Sequence, residues 1–183
     1  MKTKLDTYNN DWYKPGRSVL IRLVWLFVSV LFVQCSWNPV SSIRVFLLRL
    51  FGARIGKNVT IKPGVHVKYP WFLQVGNSVW IGEKVWIDNL TQVNIEDHVC
   101  ISQGAFLLTG NHDYTRTTFD LMVKPIELKE GVWIGAKSIV CPGVICHSHA
   151  VLTAGSVARN ELQPYTINSG NPALPIKERV IKS

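Results

Sequence analysis

From Ile55 onward the chain places an aliphatic residue at six-residue spacing, with a small or aliphatic residue four places after each. The pairs run Ile55 and Val59, Ile61 and Val65, Val75 and Val79, Ile81 and Val85, Ile95 and Val99, Ile101 and Ala105, then Leu128 and Val132, Ile134 and Ser138, Val140 and Val144, Leu152 and Ser156. Six matches neither the 3.6 period of a helix nor the strict alternation of a long strand. It matches a coil of three short flat faces, with the first residue of each pair pointing inward and the second filling the interior beside it. Glycine or asparagine falls near each bend, as at Gly56, Asn58, Gly64, Gly76, Asn77, Gly82, Gly131, Gly135, Gly143 and Gly155, where a positive φ is expected. Three hexads make one turn, and turns stack by parallel strand pairing about 4.8 Å apart. The pattern therefore predicts an all-β fold, a parallel β-helix of hexapeptide repeats.

Three interruptions break the count. Two are slips of two residues, between Val67 and Val75 and between Ile87 and Ile95, which bulged corners would absorb. The third is long: after Leu107 the chain runs TGNHDYTRTTFDLMVKP before the repeat resumes at Leu128. A loop thrown out of a rigid scaffold costs little and is where function concentrates. It carries His112, flanked by Asn111 and Asp113, and the preceding coil holds Asp88 and Asn89 in the string WIDNL.

Before the repeats the pattern changes. Leu23 to Val33 is an uninterrupted apolar run, Asn38 and Pro39 read as a turn, and Ser41 or Ser42 is placed to cap a second helix carrying Ile43, Val45, Phe46, Leu47, Leu48 and Leu50. Residues 17–51 thus read as two apolar helices with a basic fringe of Arg17, Arg22, Arg44, Arg49 and Arg54. The run is short for a membrane span, and no small-residue cleavage site marks it as a secretory signal. Two roles fit: a hydrophobic cap on the open end of the β-helix, or a patch lying on an anionic membrane.

Charge sharpens this division. Of the net charge of +8, residues 1–54 contribute eight Lys and Arg against two Asp, and the other 129 residues contribute twelve against ten. The basic residues are interleaved with bulky aliphatics, which argues against a nucleic-acid surface. The chain divides into an N-terminal basic apolar helical segment (1–54), a β-helix (55–160) bearing the loop 109–127, and a C-terminal tail (161–183). Cys35, Cys100, Cys141 and Cys146 lack the spacing of a metal or redox motif, so a reducing cytoplasm is expected.

The strings YPWFLQVGNSVWIGEKVWIDNL, CISQGAFLLTGNHD, PIELKEGVWIGAKSIVCPGV, AGSV and GNPA, with LLRLFGARIG before them, resemble the hexapeptide-repeat acetyltransferases, and within them the colanic acid biosynthesis branch of the maltose, galactoside and nodulation acetyltransferase group. The resemblance spans nearly the whole chain. It implies a left-handed β-helix, a homotrimer with sites between prisms, acetyl-CoA as donor and a sugar hydroxyl as acceptor in exopolysaccharide or surface polysaccharide synthesis, with no metal. It assigns His112 as general base, Asn89 with Asp88 and Asp113 to the acceptor, Ala136 and Ala154 to the lip of the coenzyme A groove, and Arg159 and Lys177 to its phosphates or adenine. The pattern departs at Leu174 and Asn160, where some relatives carry basic residues.

The chemistry agrees with that assignment. A sugar hydroxyl needs a base to attack a thioester, and an imidazole with an ordinary pKa near 6.5 suits the task at cytoplasmic pH. Asp113 or a backbone carbonyl would orient the ring. Two other functions fit a β-helix: a non-enzymatic scaffold, and a γ-type carbonic anhydrase, which needs three converging zinc-binding histidines. Position 117 is Thr117 rather than a second histidine, and His147 and His149 lie far along the chain, so zinc is not expected. A peripheral position at the inner face of the membrane would favour a lipid-linked sugar over a soluble one.

Overall fold

A computed structural model describes residues 2–182. Residues 54–158 wind into a three-sided parallel β-helix. The first face stacks Arg54–Ile55, Leu73–Val75, Val93–Ile95, Ile126–Leu128 and Ile145–Cys146. The second stacks Thr60–Ile61, Trp80–Ile81, Cys100–Ile101, Trp133–Ile134 and Val151–Leu152; the third stacks His66–Val67, Trp86–Asp88, Phe106–Leu108, Ile139–Val140 and Val157–Ala158. The predicted inward pairs fill the prism: Ile61, Val65, Ile81, Val85, Ile101, Ala105, Ile134 and Leu152 are all buried. Pairing such short strands would be marginal alone; their stability comes from this shared interior.

The bends correct one expectation. Gly64, Gly131, Gly143 and Gly155 have positive φ, but so do Ser78, Lys84, His98, Lys137, His149 and Tyr165, whereas Gly56, Gly76, Gly82 and Gly135 do not. Gly135 serves a different need: a Cβ there would sit 2.5 Å from the Ala154 nitrogen and 2.6 Å from the Leu152 oxygen of the next coil. That glycine permits close stacking of turns rather than a left-handed backbone.

All three interruptions fall at one edge of the prism, between the third and first faces. Arg54 pairs with Gln74 and Gln74 with Asn94, twenty-residue steps that hold the two slips. Asn94 then pairs with Glu127, a step of 33 that holds the loop. Two bulged corners and the extruded loop are therefore stacked, forming a ledge along a single edge.

The N-terminal helices close one end. α1 (Val19–Val28) runs into a π-helical turn, Ser29–Val33, and α2 (Ser41–Leu50) follows. Trp25, Val33, Val45 and Leu48 join the prism core. Each strand of the open coil also receives a side-chain partner. Arg49 donates to the Ile55 and Gly56 carbonyls, Ser41 Oγ accepts from Ile61 N at 2.8 Å, and Trp25 Nε1 donates to the Val67 carbonyl at 3.0 Å. Ser41 thus satisfies the sheet edge instead of capping its own helix. Such partners blunt an edge that would otherwise recruit another strand.

Arg44 does not belong to a basic fringe. It is fully buried and donates to the carbonyls of Val33, Cys35, Asn38 and Val40, tying the π-helical turn to α2. The outer faces of both helices, and Trp37 between them, remain apolar and open: Leu20 is 71% exposed, Phe27 67%, Trp37 67% and Leu50 66%. No helix among the described residues is long and apolar enough to cross a membrane. At the other end Thr166–Gly170 adds in parallel to the second face and pairs antiparallel with Ala173–Glu178, and Arg179 bonds the Gly131 and His149 carbonyls.

Candidate active site

The loop leaves the ledge as an antiparallel hairpin of Gly110–His112 and Leu121–Val123, with His112 opposite Leu121. His112 Nδ1 lies 3.0 Å from the Phe119 carbonyl, and the two rings stack at 4.4 Å with planes 8° apart. A carbonyl only accepts, so Nδ1 carries the hydrogen and Nε2 of the neutral ring keeps its lone pair. Phe119 has φ +51, a conformation uncommon for a side chain of its size. The loop adopts it to aim that carbonyl at the ring.

His112 lines a cavity of about 580 Å³ together with Tyr8, Asp11, Tyr13, Arg22, Lys68 and Tyr69. The wall opposite the loop is an N-terminal arm. Lys4 N bonds the Thr117 carbonyl at 2.8 Å, the Tyr8 ring sits 5.8 Å from His112, and the Tyr13 hydroxyl donates to the Leu90 carbonyl at 2.7 Å. Burial, with Tyr69 and Asp88 adding to it, raises the Tyr13 pKa, so the phenol remains a hydrogen-bond donor. The Pro15 carbonyl accepts from Trp71 Nε1 at 2.7 Å, and at Gly16, φ +79, a Cβ would strike the rings of Phe72 and Trp71. Sequence reading missed the arm because its polar residues carry no period; only its density of Tyr, Asn and Asp before the first helix marked it.

Two of the residues assigned to the acceptor already make contacts within the protein. Asn89 is fully buried, its amide oxygen accepting from Tyr69 N at 3.0 Å and its nitrogen donating to Tyr69 O at 2.7 Å. Each polar end thus has one partner on the ledge and keeps capacity for a second. Asp113 turns into the loop, its Oδ1 accepting from Thr115 N at 3.0 Å and from Thr115 Oγ1 at 2.5 Å. Those hydrogen bonds hold its carboxyl below the usual range, and Phe119 rather than Asp113 orients the imidazole. Asp88 pairs with Lys68 at 2.8 Å beside the cavity. Thr109 completes the ledge, fully buried, accepting from Leu90 N and donating to Asp88 O.

Ala136 and Ala154 come together elsewhere. With Gln103, Trp133, Gly135 and Thr153 they line a groove of about 380 Å³ along the edge between the second and third faces. Small residues leave its lip open beside the half-exposed Trp133. Arg159 and Lys177 stand outside its lining, one after the last strand of the third face, the other on the terminal hairpin. The groove and His112 thus occupy different edges of the same prism.

Other nucleophiles are poorly placed. Cys146 is fully buried, which pushes its thiol up to about 12, and burial also raises Cys100 and Cys141. His147 pairs with Glu161 at 3.1 Å and His149 packs on Tyr165, so neither converges on His112. Among the described residues no three metal-ligating side chains meet.

Comparison with known proteins follows this geometry. The chain is 37% identical over 170 residues, 92% of each chain, to the protein named as a colanic acid biosynthesis acetyltransferase, WcaF, of Escherichia coli. It is 28% identical over 138 residues to the galactoside O-acetyltransferase of Escherichia coli, covering 74% of this chain and 68% of that one. Among solved structures, a hexapeptide-repeat acetyltransferase of Vibrio cholerae complexed with acetyl coenzyme A superposes with a TM-score of 0.79 at 22% identity, covering 91% and 92% of the two chains. No family model matches the chain.

Proposed function

The chain belongs to the hexapeptide-repeat acetyltransferases, and from that premise we propose that it transfers the acetyl group of acetyl-CoA to a sugar hydroxyl during synthesis of a surface or extracellular polysaccharide. The observation that carries the reading is His112, with Nδ1 tied to the Phe119 carbonyl and the ring on the wall of a polar cavity. In direct transfer Nε2 takes the hydroxyl proton as the sugar oxygen bonds the acetyl carbon. The carbon–sulfur bond breaks, and the imidazolium returns the proton to the thiolate, giving ester and free CoA. Fixing the tautomer beforehand removes a reorganisation from the reaction.

The donor fits the groove at Ala136 and Ala154, where a larger side chain would obstruct a pantetheine arm. Groove and base lie on different edges, so a neighbouring copy has to supply one of them, which supports a homotrimer with sites between subunits. The outer surface is consistent with such packing: Trp80 and Trp133 on the second face are 45% and 47% exposed, more apolar area than an isolated prism needs. The open faces of α1 and α2, with a basic N-terminal segment, support peripheral contact with an anionic membrane on its cytoplasmic side.

Release of CoA thiol from acetyl-CoA with a panel of sugars tests the assignment. His112→Ala is expected to lower kcat by about 100-fold or more, with CoA affinity unchanged. A variant retaining activity within a few-fold of the parent contradicts the role.

A further inference from the structure

Two cavities meet beneath α1. The polar one holds His112; the other, about 430 Å³, runs between Val19, Leu23 and Leu26 of α1 and His66 and Trp86 of the third face. Arg22, Lys68 and Tyr69 line both. Arg22 Nε is buried without a hydrogen-bond partner, and the guanidinium forms no ion pair among the described residues. The residue as a whole is only partly buried, but a guanidinium N–H shielded from water without a partner is a cost that an anion within reach relieves.

We propose that the acceptor is a phosphate-linked amphiphile: its sugar sits by His112, its phosphate on Arg22 with Lys68, and its hydrocarbon chain in the slot along α1. The inference rests on the acetyltransferase reading and names the substrate class for it. Polar, cationic and apolar surfaces follow one another in the order such a molecule presents them. Guanidinium matches phosphate geometry with paired donors, and Lys68, already held by Asp88 at 2.8 Å, adds a fixed charge. A free sugar would leave both the slot and the guanidinium unused. The slot's outer wall also belongs to the open apolar face of α1, with Val19 61%, Leu23 49% and Leu26 53% exposed, so a chain longer than the slot passes from it toward a bilayer.

Calorimetry on the full chain with three probes, farnesyl phosphate, farnesol and inorganic phosphate, separates the possibilities. Farnesyl phosphate is expected to bind at least tenfold more tightly than either fragment. Arg22→Gln should weaken farnesyl phosphate at least tenfold and leave farnesol unchanged, and Leu23→Asn should weaken both farnesyl ligands and leave inorganic phosphate unchanged. CoA binding to each sample reports that it is folded. The proposal is overturned if farnesyl phosphate binds no better than inorganic phosphate, if Arg22→Gln has no effect, or if Leu23→Asn alters subunit association instead of farnesyl binding, which would make the slot a contact between copies. His112-dependent acetyl transfer to a soluble sugar would survive any of those results, so this failure is distinguishable from failure of the acetyltransferase reading.

Discussion

His112 is suited to proton transfer because its second nitrogen is already committed. The Phe119 carbonyl selects the tautomer and the stacked ring limits rotation, so one loop supplies both the proposed base and its holder. Asn89 is a polar residue of the candidate site that also has a structural part. Its amide bridges two coils through the backbone of Tyr69. Asn89→Ala would strand a part-buried N–H and a part-buried carbonyl of Tyr69, and should destabilise the fold by roughly 1–3 kcal/mol in denaturant titration. A change below about 0.5 kcal/mol would show that water replaces the amide and that the ledge does not depend on it. Nothing in the string WIDNL separates these roles, because a buried and a solvent-facing asparagine read alike until the neighbouring coil is in place.

Among the elements, the hexads were legible and their interruptions were legible as interruptions. That the two slips and the loop share one edge follows from the winding of the three faces, since each falls between a third-face strand and the next first-face strand. The helices were legible as apolar, but not which faces they bury. Arg44 reads as part of a basic fringe yet lies inside, because four backbone carbonyls, of Val33, Cys35, Asn38 and Val40, replace its water. Ser41 reads as a helix cap yet partners Ile61. Ser41→Ala should lower stability by about 1 kcal/mol and speed hydrogen exchange at Ile61 well beyond that of the inner coils. Unchanged protection at Ile61 would mean that α2 seals the sheet edge by packing alone. The N-terminal arm had no period to betray it, and only its contacts with Thr117, Leu90 and Trp71 reveal it as a wall of the cavity.

At the scale of the molecule, the proposed base and the proposed donor groove stand on two different edges of one prism. The loop edge holds His112 and a polar cavity; the neighbouring edge holds a narrow groove between small residues. Complementation between copies tests this most directly. His112→Ala and Ala154→Trp are each expected to be inactive as pure proteins, one lacking the base and the other an open groove. Mixed at equal amounts into random rings of three, they should regain about a quarter of the parent activity, because some interfaces then join an intact base to an intact groove. Recovery to that level is the predicted result; a mixture as inactive as its components would contradict a site shared between subunits.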